Sequence, residues 1–341
     1  MTKLFIITLE PIEKRYTKQW YKYFKNEFKK YAKNVEYIDG TIVGDEIKKG
    51  RFLDINQTNI WKAEQVIKIA KLFQDQKIKP NDKFLLLDGW HFGITALKYM
   101  SQLNNIPVGI YAYWHAGTWD KQDFVSQAGL GNWANNNEKG WFKACDGNFV
   151  ATKFHKKLII NYFKDEAINR KIHVVGFPMD WKKETAIKKN SVFVKENIVV
   201  FPHRTDKEKQ PEVFETIMAK IKNFKGIITM NVTKNKQDYY KLLSKSKYCF
   251  SANLQETFGI GTVEAMMFDS IPIVPNRLSY LELYHKQFRY TKLSEVPKMI
   301  ERIENNKSQY SKLLRNDRSK IINKSLNAIK IMWGIMKCQK K

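Results

Sequence analysis

Short, continuously apolar runs alternate along this chain with longer stretches whose apolar residues recur at helical spacing. The runs "KLFIITL" (3–9), "VEYID" (35–39), "KFLLLD" (83–88), "VGIYAYW" (108–114), "NFVAT" (148–152) and "HVVGF" (173–177) read as strands. A second set follows: "NIVVFPH" (197–203), "GIITMN" (226–231), "YCFSA" (248–252) and "IPIVP" (271–275). Strands that are apolar throughout, without in–out alternation, belong to parallel sheets covered on both faces. Their alternation with helical segments predicts a doubly wound α/β protein. Residues 179–196, dense in lysine and without a clear strand, interrupt the rhythm. The expected division is therefore a domain over 1–178, a second over 179–320, and a C-terminal helix over 321–341. In that helix Ile321, Ile322, Leu326, Ile329 and Trp333 fall near one face, which should pack back on the first domain.

Composition narrows this picture. With 341 residues, 43% of them hydrophobic, the chain has material for two packed cores, and whole-chain disorder is excluded. Cys145, Cys249 and Cys338 lack disulfide or metal-ligand spacing, as expected in a reducing interior. The first apolar run is too short for a secretory signal, and none approaches the roughly 20 residues of a membrane span. A cytoplasmic protein is expected. The formal net charge is +26, and 51 of the 60 basic residues are lysine. An AT-rich coding bias accounts for lysine over arginine but less easily for the excess of base over acid. That excess fits a polyanionic partner, DNA or an anionic membrane surface.

Candidate chemistry sits in the second half. Arg204 and Lys209 follow the strand "NIVVFPH" and precede a helix whose buried face is Phe214, Ile217, Met218 and Ile221. Both cations thus lie at the carboxyl end of a parallel strand, where open α/β sheets bind ligands. A second strand-to-helix turn is "YCFSANLQETFGIGTVEAMMF" (248–268). Gly259 and Gly261 allow close backbone approach there, and the amides of the helix start favour phosphate oxygens. Glu264, early in that helix, can accept from two adjacent ribose hydroxyls, whereas Glu256 lies before the turn. Each residue alone reads equally well as a helix-start acid or a solvated surface charge; order, spacing and strand context together favour a site.

Taken in order, Arg204, Lys209, "ETFGIGTVEAM" (256–266) and "SIPIVP" (270–275) resemble the donor-binding half of retaining glycosyltransferases of family 4. "HVVGFPMDW" (173–181) is similar to the turn that ends the first domain there, so the resemblance spans residues 173–285. Asp269 departs from the pattern, standing where that family usually has glycine. The resemblance implies a GT-B fold, two Rossmann-like domains flanking a cleft. It further implies that Arg204, Lys209 and the turn Phe258, Gly259, Ile260, Gly261 and Thr262 hold a donor diphosphate, with Glu256 on the transferred sugar and Glu264 on the ribose. The expected donor is a nucleotide diphosphosugar, most simply a UDP-sugar. No prosthetic group is expected. With no Asp-x-Asp signature near a strand end, the cations are expected to replace a metal.

The first half should present the acceptor. "LLLDGWHFG" (85–93) and "YAYWHAGTWDKQDF" (111–124) bring Asp88, His91, His115 and Asp120 to strand ends beside Trp114 and Trp119, and Arg15 follows the first strand. Enzymes of the resembled class often set a first-domain histidine near the donor sugar, which makes His115, with Asp120 and with Glu256 on the sugar, the catalytic candidates. His91 and His115 read equally as packing residues. Three acceptor classes stay open. The first is DNA carrying a hydroxymethylated base, as in phage enzymes that glycosylate their own genomes, with a flipped base stacking on Trp114 or Trp119. The second is a glycolipid or cell-wall acceptor at an anionic membrane, approached through the amphipathic segment "WYKYFKNEFKKYAK" (20–33). The third is a nucleic-acid-binding module with a vestigial donor site. No protein partner is expected.

Overall fold

The computed structural model describes residues 2–12, 15–41, 54–185 and 194–338. The chain forms two compact units, Met1–Pro178 with Asn327–Lys341, and Met179–Leu326. The first unit contains β1 (Leu4–Ile7), β2 (Val35–Ile38), β3 (Lys83–Leu86), β4 (Gly109–Tyr113), β5 (Gly147–Val150) and β6 (Ile172–Val174), in the order β2-β1-β3-β4-β5-β6. The second contains β7 (Glu196–Phe201), β8 (Lys225–Ile228), β9 (Ser246–Phe250), β10 (Ile271–Pro275) and β11 (Arg289–Tyr290), ordered β8-β7-β9-β10-β11. Every adjacent pair is parallel. Both sheets thus reverse their strand order once, between β1 and β3 and between β7 and β9. Loops leaving the carboxyl ends of those strands diverge to opposite faces and open a crevice.

The apolar runs follow from burial on both sheet faces. β1, β3 and β5 are buried at every residue. Phe5, Ile7, Phe84, Leu86, Ile110, Ala112 and Val150 join a core with Ile94, Leu97 and Phe142 from the helices on one face. On the other face, the Tyr111 hydroxyl donates to the Met336 carbonyl at 3.3 Å. Met336 lies in the helix Lys307–Cys338, whose buried stripe is Ile321, Ile322, Ser325, Ala328, Ile329, Met332 and Met336. Leu326 falls off this stripe and is exposed.

Two local expectations change. The strand read over 226–231 stops at Ile228, and Thr229–Val232 forms a helical turn. The buried Thr229 hydroxyl donates to the Phe201 carbonyl at 3.1 Å, folding the chain back on the end of β7. The segment 20–33 is the helix Tyr16–Glu27 continued by a 3-10 turn, Phe28–Lys30. Its apolar face, Trp20, Tyr23, Phe24 and Phe28, is buried in the first unit, so it has no apolar face left to insert into a bilayer. Among the described residues no helix is long and apolar enough to cross a membrane. Both units carry the basic excess, with 32 basic against 18 acidic residues and 28 against 16.

Candidate active site

The β7/β9 crevice of the second unit gathers the predicted donor residues. Beyond β7 the chain runs Pro202, His203, Arg204 and then a 3-10 turn, Lys207–Lys209. Beyond β9 it runs Ser251 to Gly259 and enters the helix Ile260–Met267. The Leu254 N–H donates to the Glu208 carbonyl at 2.8 Å and ties the two loops together. Gly259 has φ +89°, a left-handed conformation that L side chains rarely adopt. A Cβ on Gly261 would lie 2.2 Å from the Pro202 carbonyl oxygen, so the helix starts hard against the end of β7. The amides of Ile260, Gly261 and Thr262 have no acceptor within the helix and form an anion-favouring start beside the Arg204 loop.

Lys209 is only 6% exposed. Its Nζ donates to the Gln255 carbonyl at 2.7 Å and to Gln255 Oε1 at 3.2 Å, and lies 3.5 Å from Glu256 Oε2. Arg204, half-exposed, is steadied by Glu208 at 3.0 Å and by Asp206. Glu256 Oε2 also accepts from Asn253 Nδ2 at 3.0 Å. That buried amide further reaches the Tyr280 hydroxyl at 3.1 Å and His203 Nδ1 at 3.4 Å. Arg277 grips the same loop through the carbonyls of Ala252 and Asn253. Burial, with Lys209 and Arg204 adding to it, pushes the His203 imidazole well below its ordinary range, so it is neutral. Glu264 is buried one helix turn on, where its Oε1 accepts from Lys236 Nζ at 2.5 Å and from the Tyr240 hydroxyl at 3.0 Å. Arg204, Lys209, Glu256 and the turn Phe258–Thr262 are thus brought together, with Glu264 behind the turn.

Sequence reading missed Asn253, His203, Arg277, Lys236 and Tyr240. The last two stand four apart on one helix face, but nothing in their spacing points to Glu264. Asp269 has φ +61° and pairs with Arg318 Nη1 at 2.5 Å. The glycine-like backbone geometry is therefore present at this position despite the carboxylate.

In the first unit, Asp88 and His115 lie at the carboxyl ends of β3 and β4. Burial works against the Asp88 carboxylate, yet Lys62 at 2.9 Å, His115 and the Trp90 N–H outweigh it and hold its carboxyl below the usual range. His115 Nε2 is 2.9 Å from the Leu87 carbonyl and so carries the proton, which leaves Nδ1 to accept from the Tyr16 hydroxyl at 3.3 Å. Burial pushes this imidazole down, with Asp88 opposing. Arg15 precedes the helix that carries Tyr16. Asp120 is buried, and its Oδ1 accepts from the Gln122 N–H at 3.0 Å in a tight turn.

Three acceptor-side expectations are corrected by burial. Trp114, 1% exposed, stacks on Phe142 at 4.0 Å and donates to Asn148 Oδ1 at 2.8 Å. Trp119, 4% exposed, donates to His155 Nε2 at 3.2 Å. Neither offers a ring face to a flipped base. His91 is locked between the Gly93 N–H at 2.8 Å and Gln65 Oε1 at 3.1 Å, a packing residue whose pKa burial pushes down to about 3. Among the described residues, no group of three or more His, Cys, Asp or Glu is placed to hold a metal ion.

No protein-family model and no curated protein sequence matches the chain. Solved structures do. Sucrose-phosphate synthase from Thermosynechococcus elongatus superposes with a TM-score of 0.64 at 12% identity, covering 99% of each chain. The catalytic domain of starch synthase IV from Arabidopsis thaliana, bound to ADP and acarbose, gives 0.65 at 10% identity, over 99% of this chain and 100% of that one. WaaG, a glycosyltransferase involved in lipopolysaccharide biosynthesis, gives 0.60 at 10% identity, over 98% and 100%. Likeness at such identity is likeness of fold, and these two doubly wound sheets have the fold of the GT-B glycosyltransferases.

Proposed function

We propose that this protein is a retaining glycosyltransferase that binds a nucleotide diphosphosugar, most simply UDP-glucose, at the β7/β9 crevice. One observation carries the reading: a nearly buried Lys209 lies beside Glu256, opposite a helix start pressed against the end of β7. Arg204, Lys209 and the amides from Phe258 to Thr262 take the diphosphate, Glu264 the ribose and Glu256 the sugar hydroxyls. A GT-B neighbour solved with ADP is consistent with this assignment. As the bond from the anomeric carbon to the diphosphate breaks, the cations and amides stabilise the leaving phosphate. The acceptor oxygen bonds to the same face of that carbon, and its proton passes to a leaving phosphate oxygen, so no dedicated nucleophile and no metal is required. His115 and Asp120 are assigned to the acceptor side, with Arg15 and Asp88 as further contacts.

For the acceptor we favour a hydroxymethylated base in DNA, on the strength of the +26 net charge, with the reaction in the cytoplasm. The presence of that charge in both units and the burial of Trp114 and Trp119 give this reading less support than the donor site has. The glycolipid alternative loses its main support with the buried face of the helix Tyr16–Glu27. The test is incubation with labelled UDP-glucose and plain DNA, hydroxymethylated DNA or lipid extract, followed by mass analysis of nucleosides and lipids. Label on hydroxymethylated nucleosides alone is expected; label on lipid overturns the DNA reading. Arg204→Ala and Glu264→Ala variants with full turnover at limiting and saturating donor would overturn the site.

A further inference from the structure

Glu264 is a buried carboxylate held by one neighbouring helix. Lys236 Nζ at 2.5 Å and the Tyr240 hydroxyl at 3.0 Å converge on Oε1, and the Tyr239 phenol also hydrogen-bonds the carboxylate. The Lys236 ammonium also lies over the rings of Tyr239 and Tyr240, 5.0 and 5.1 Å from their centroids, so its position is fixed from three directions. A carboxylate this buried needs a charged or hydrogen-bonding partner, and Lys236 supplies the charge. We infer that Lys236 is a positioning residue for nucleotide recognition, anchoring Glu264 through Oε1 so that the carboxylate meets the ribose hydroxyls of the donor in one orientation. This inference rests on the donor-site reading above.

The surroundings leave Lys236 as the only cation against this carboxylate among the described contacts. The helix Lys236–Lys245 contributes Lys236, Tyr239 and Tyr240, and burial together with Glu264 pushes the Tyr239 phenol well up, so it stays neutral. β9 contributes the buried Cys249, whose thiol burial also pushes up. β10 carries no titratable side chain, and Lys182 and Lys183 on the helix Trp181–Glu184 are exposed. A buried acid stripped of its cation takes up a proton more readily, and the protonated acid no longer accepts from two hydroxyls. Lys236→Met should therefore weaken nucleotide binding, and more at low pH than at high pH.

The experiment measures dissociation constants for UDP, ADP and GDP by calorimetry at pH 8.5 and pH 6.0, for the wild type, Lys236→Met and Lys236→Arg. Phosphate ionisation of the ligand cancels in the variant-to-wild-type ratio. For whichever nucleotide binds best, the Met ratio should be within about threefold of unity at pH 8.5 and rise about tenfold or more at pH 6.0. The Arg ratio should stay level. If the Met variant does not fold, Lys236→Gln keeps a donor to Oε1 without the charge and carries the same comparison. A ratio equal at both pH values overturns the inference while leaving the donor site standing. Failure of all three nucleotides to bind the wild type overturns the donor-site reading, and this inference with it.

Discussion

Gly261→Ala tests the packing that sets the helix start against β7. The added Cβ would lie 2.2 Å from the Pro202 carbonyl oxygen, a backbone atom that cannot swing aside like the tip of a long side chain. Non-bonded heavy atoms are most stable near about 3.5 Å, so the helix start and the strand end must separate by ~1 Å. Overpacking of this kind costs about 1–3 kcal/mol, or roughly 2–12 °C in melting temperature for a unit of this size. The same shift moves the amides of Ile260 to Thr262 relative to Arg204 and Lys209. A misplacement of ~1 Å in a binding constellation costs on the order of a hundredfold in rate. Gly140→Ala is the control. That residue is exposed within the helix Gly131–Ala144 with nothing within 4 Å of an added Cβ, so the change should stabilise by about 1 kcal/mol. Thermal melts followed by circular dichroism, and kcat/KM for a nucleotide sugar, read both effects. A Gly261→Ala protein that melts with the wild type and keeps its kcat/KM would refute the reasoning.

Lys209→Met should lower kcat/KM by about a hundredfold or more, measured with limiting nucleotide sugar, because it removes the buried ammonium beside Glu256. Asp269→Gly should be more stable than Asp269→Ala by about 1 kcal/mol in urea denaturation. Both lose the ion pair to Arg318, but only glycine escapes the left-handed penalty at φ +61°. His91 and His155 are buried, and burial pushes each pKa down to about 3 from an unfolded value of 6.5. The unfolded chain therefore takes up these protons first. Stability is whole above about pH 6.5 and falls, by up to ~1.4 kcal/mol per pH unit for each histidine, as pH drops toward 3. His155→Gln should reduce that slope between pH 6.5 and 5 in urea titrations; an unchanged slope counts against a neutral buried His155.

Strands apolar on both faces are legible because a parallel sheet covered on both sides leaves no polar face, and β1, β3 and β5 declare themselves this way. β11, two residues long, is too short to form a pattern, and β8 ends where a threonine hydroxyl finds the Phe201 carbonyl. Both are tertiary events. The candidate donor-site residues Arg204, Lys209, Glu256 and Glu264 are legible because they lie in or just after strand-to-helix turns and because, taken in order, they resemble a known donor-binding pattern. Lys236 and Asn253 were not, since their meaning comes from which carboxylate they reach across the fold. Trp114 and Trp119 misled because aromatic residues near a strand end fit both a stacking surface and a core, and only burial separates the two. The helix Lys307–Cys338 shows the limit of a single-face reading. Leu326 satisfied the apolar count, but Ser325, whose hydroxyl accepts from Trp181 Nε1 at 2.8 Å, holds the buried position.

The discontinuity of the first unit bears on how the protein is made. Its sheet is complete once residue 178 has been synthesised, yet Ala328, Ile329, Met332 and Met336, which are buried in the finished protein, belong to the far end of the chain. The second unit is thus translated in full as an insertion within the first. During synthesis the first unit begins to fold earliest and is finished last, with an apolar sheet face awaiting its covering helix while the intervening residues emerge. A chaperone that binds exposed apolar surface has its longest opportunity in that interval. Loss of only the residues from 327 onward should therefore injure the first unit, whose sheet lies far upstream in sequence, more than the second.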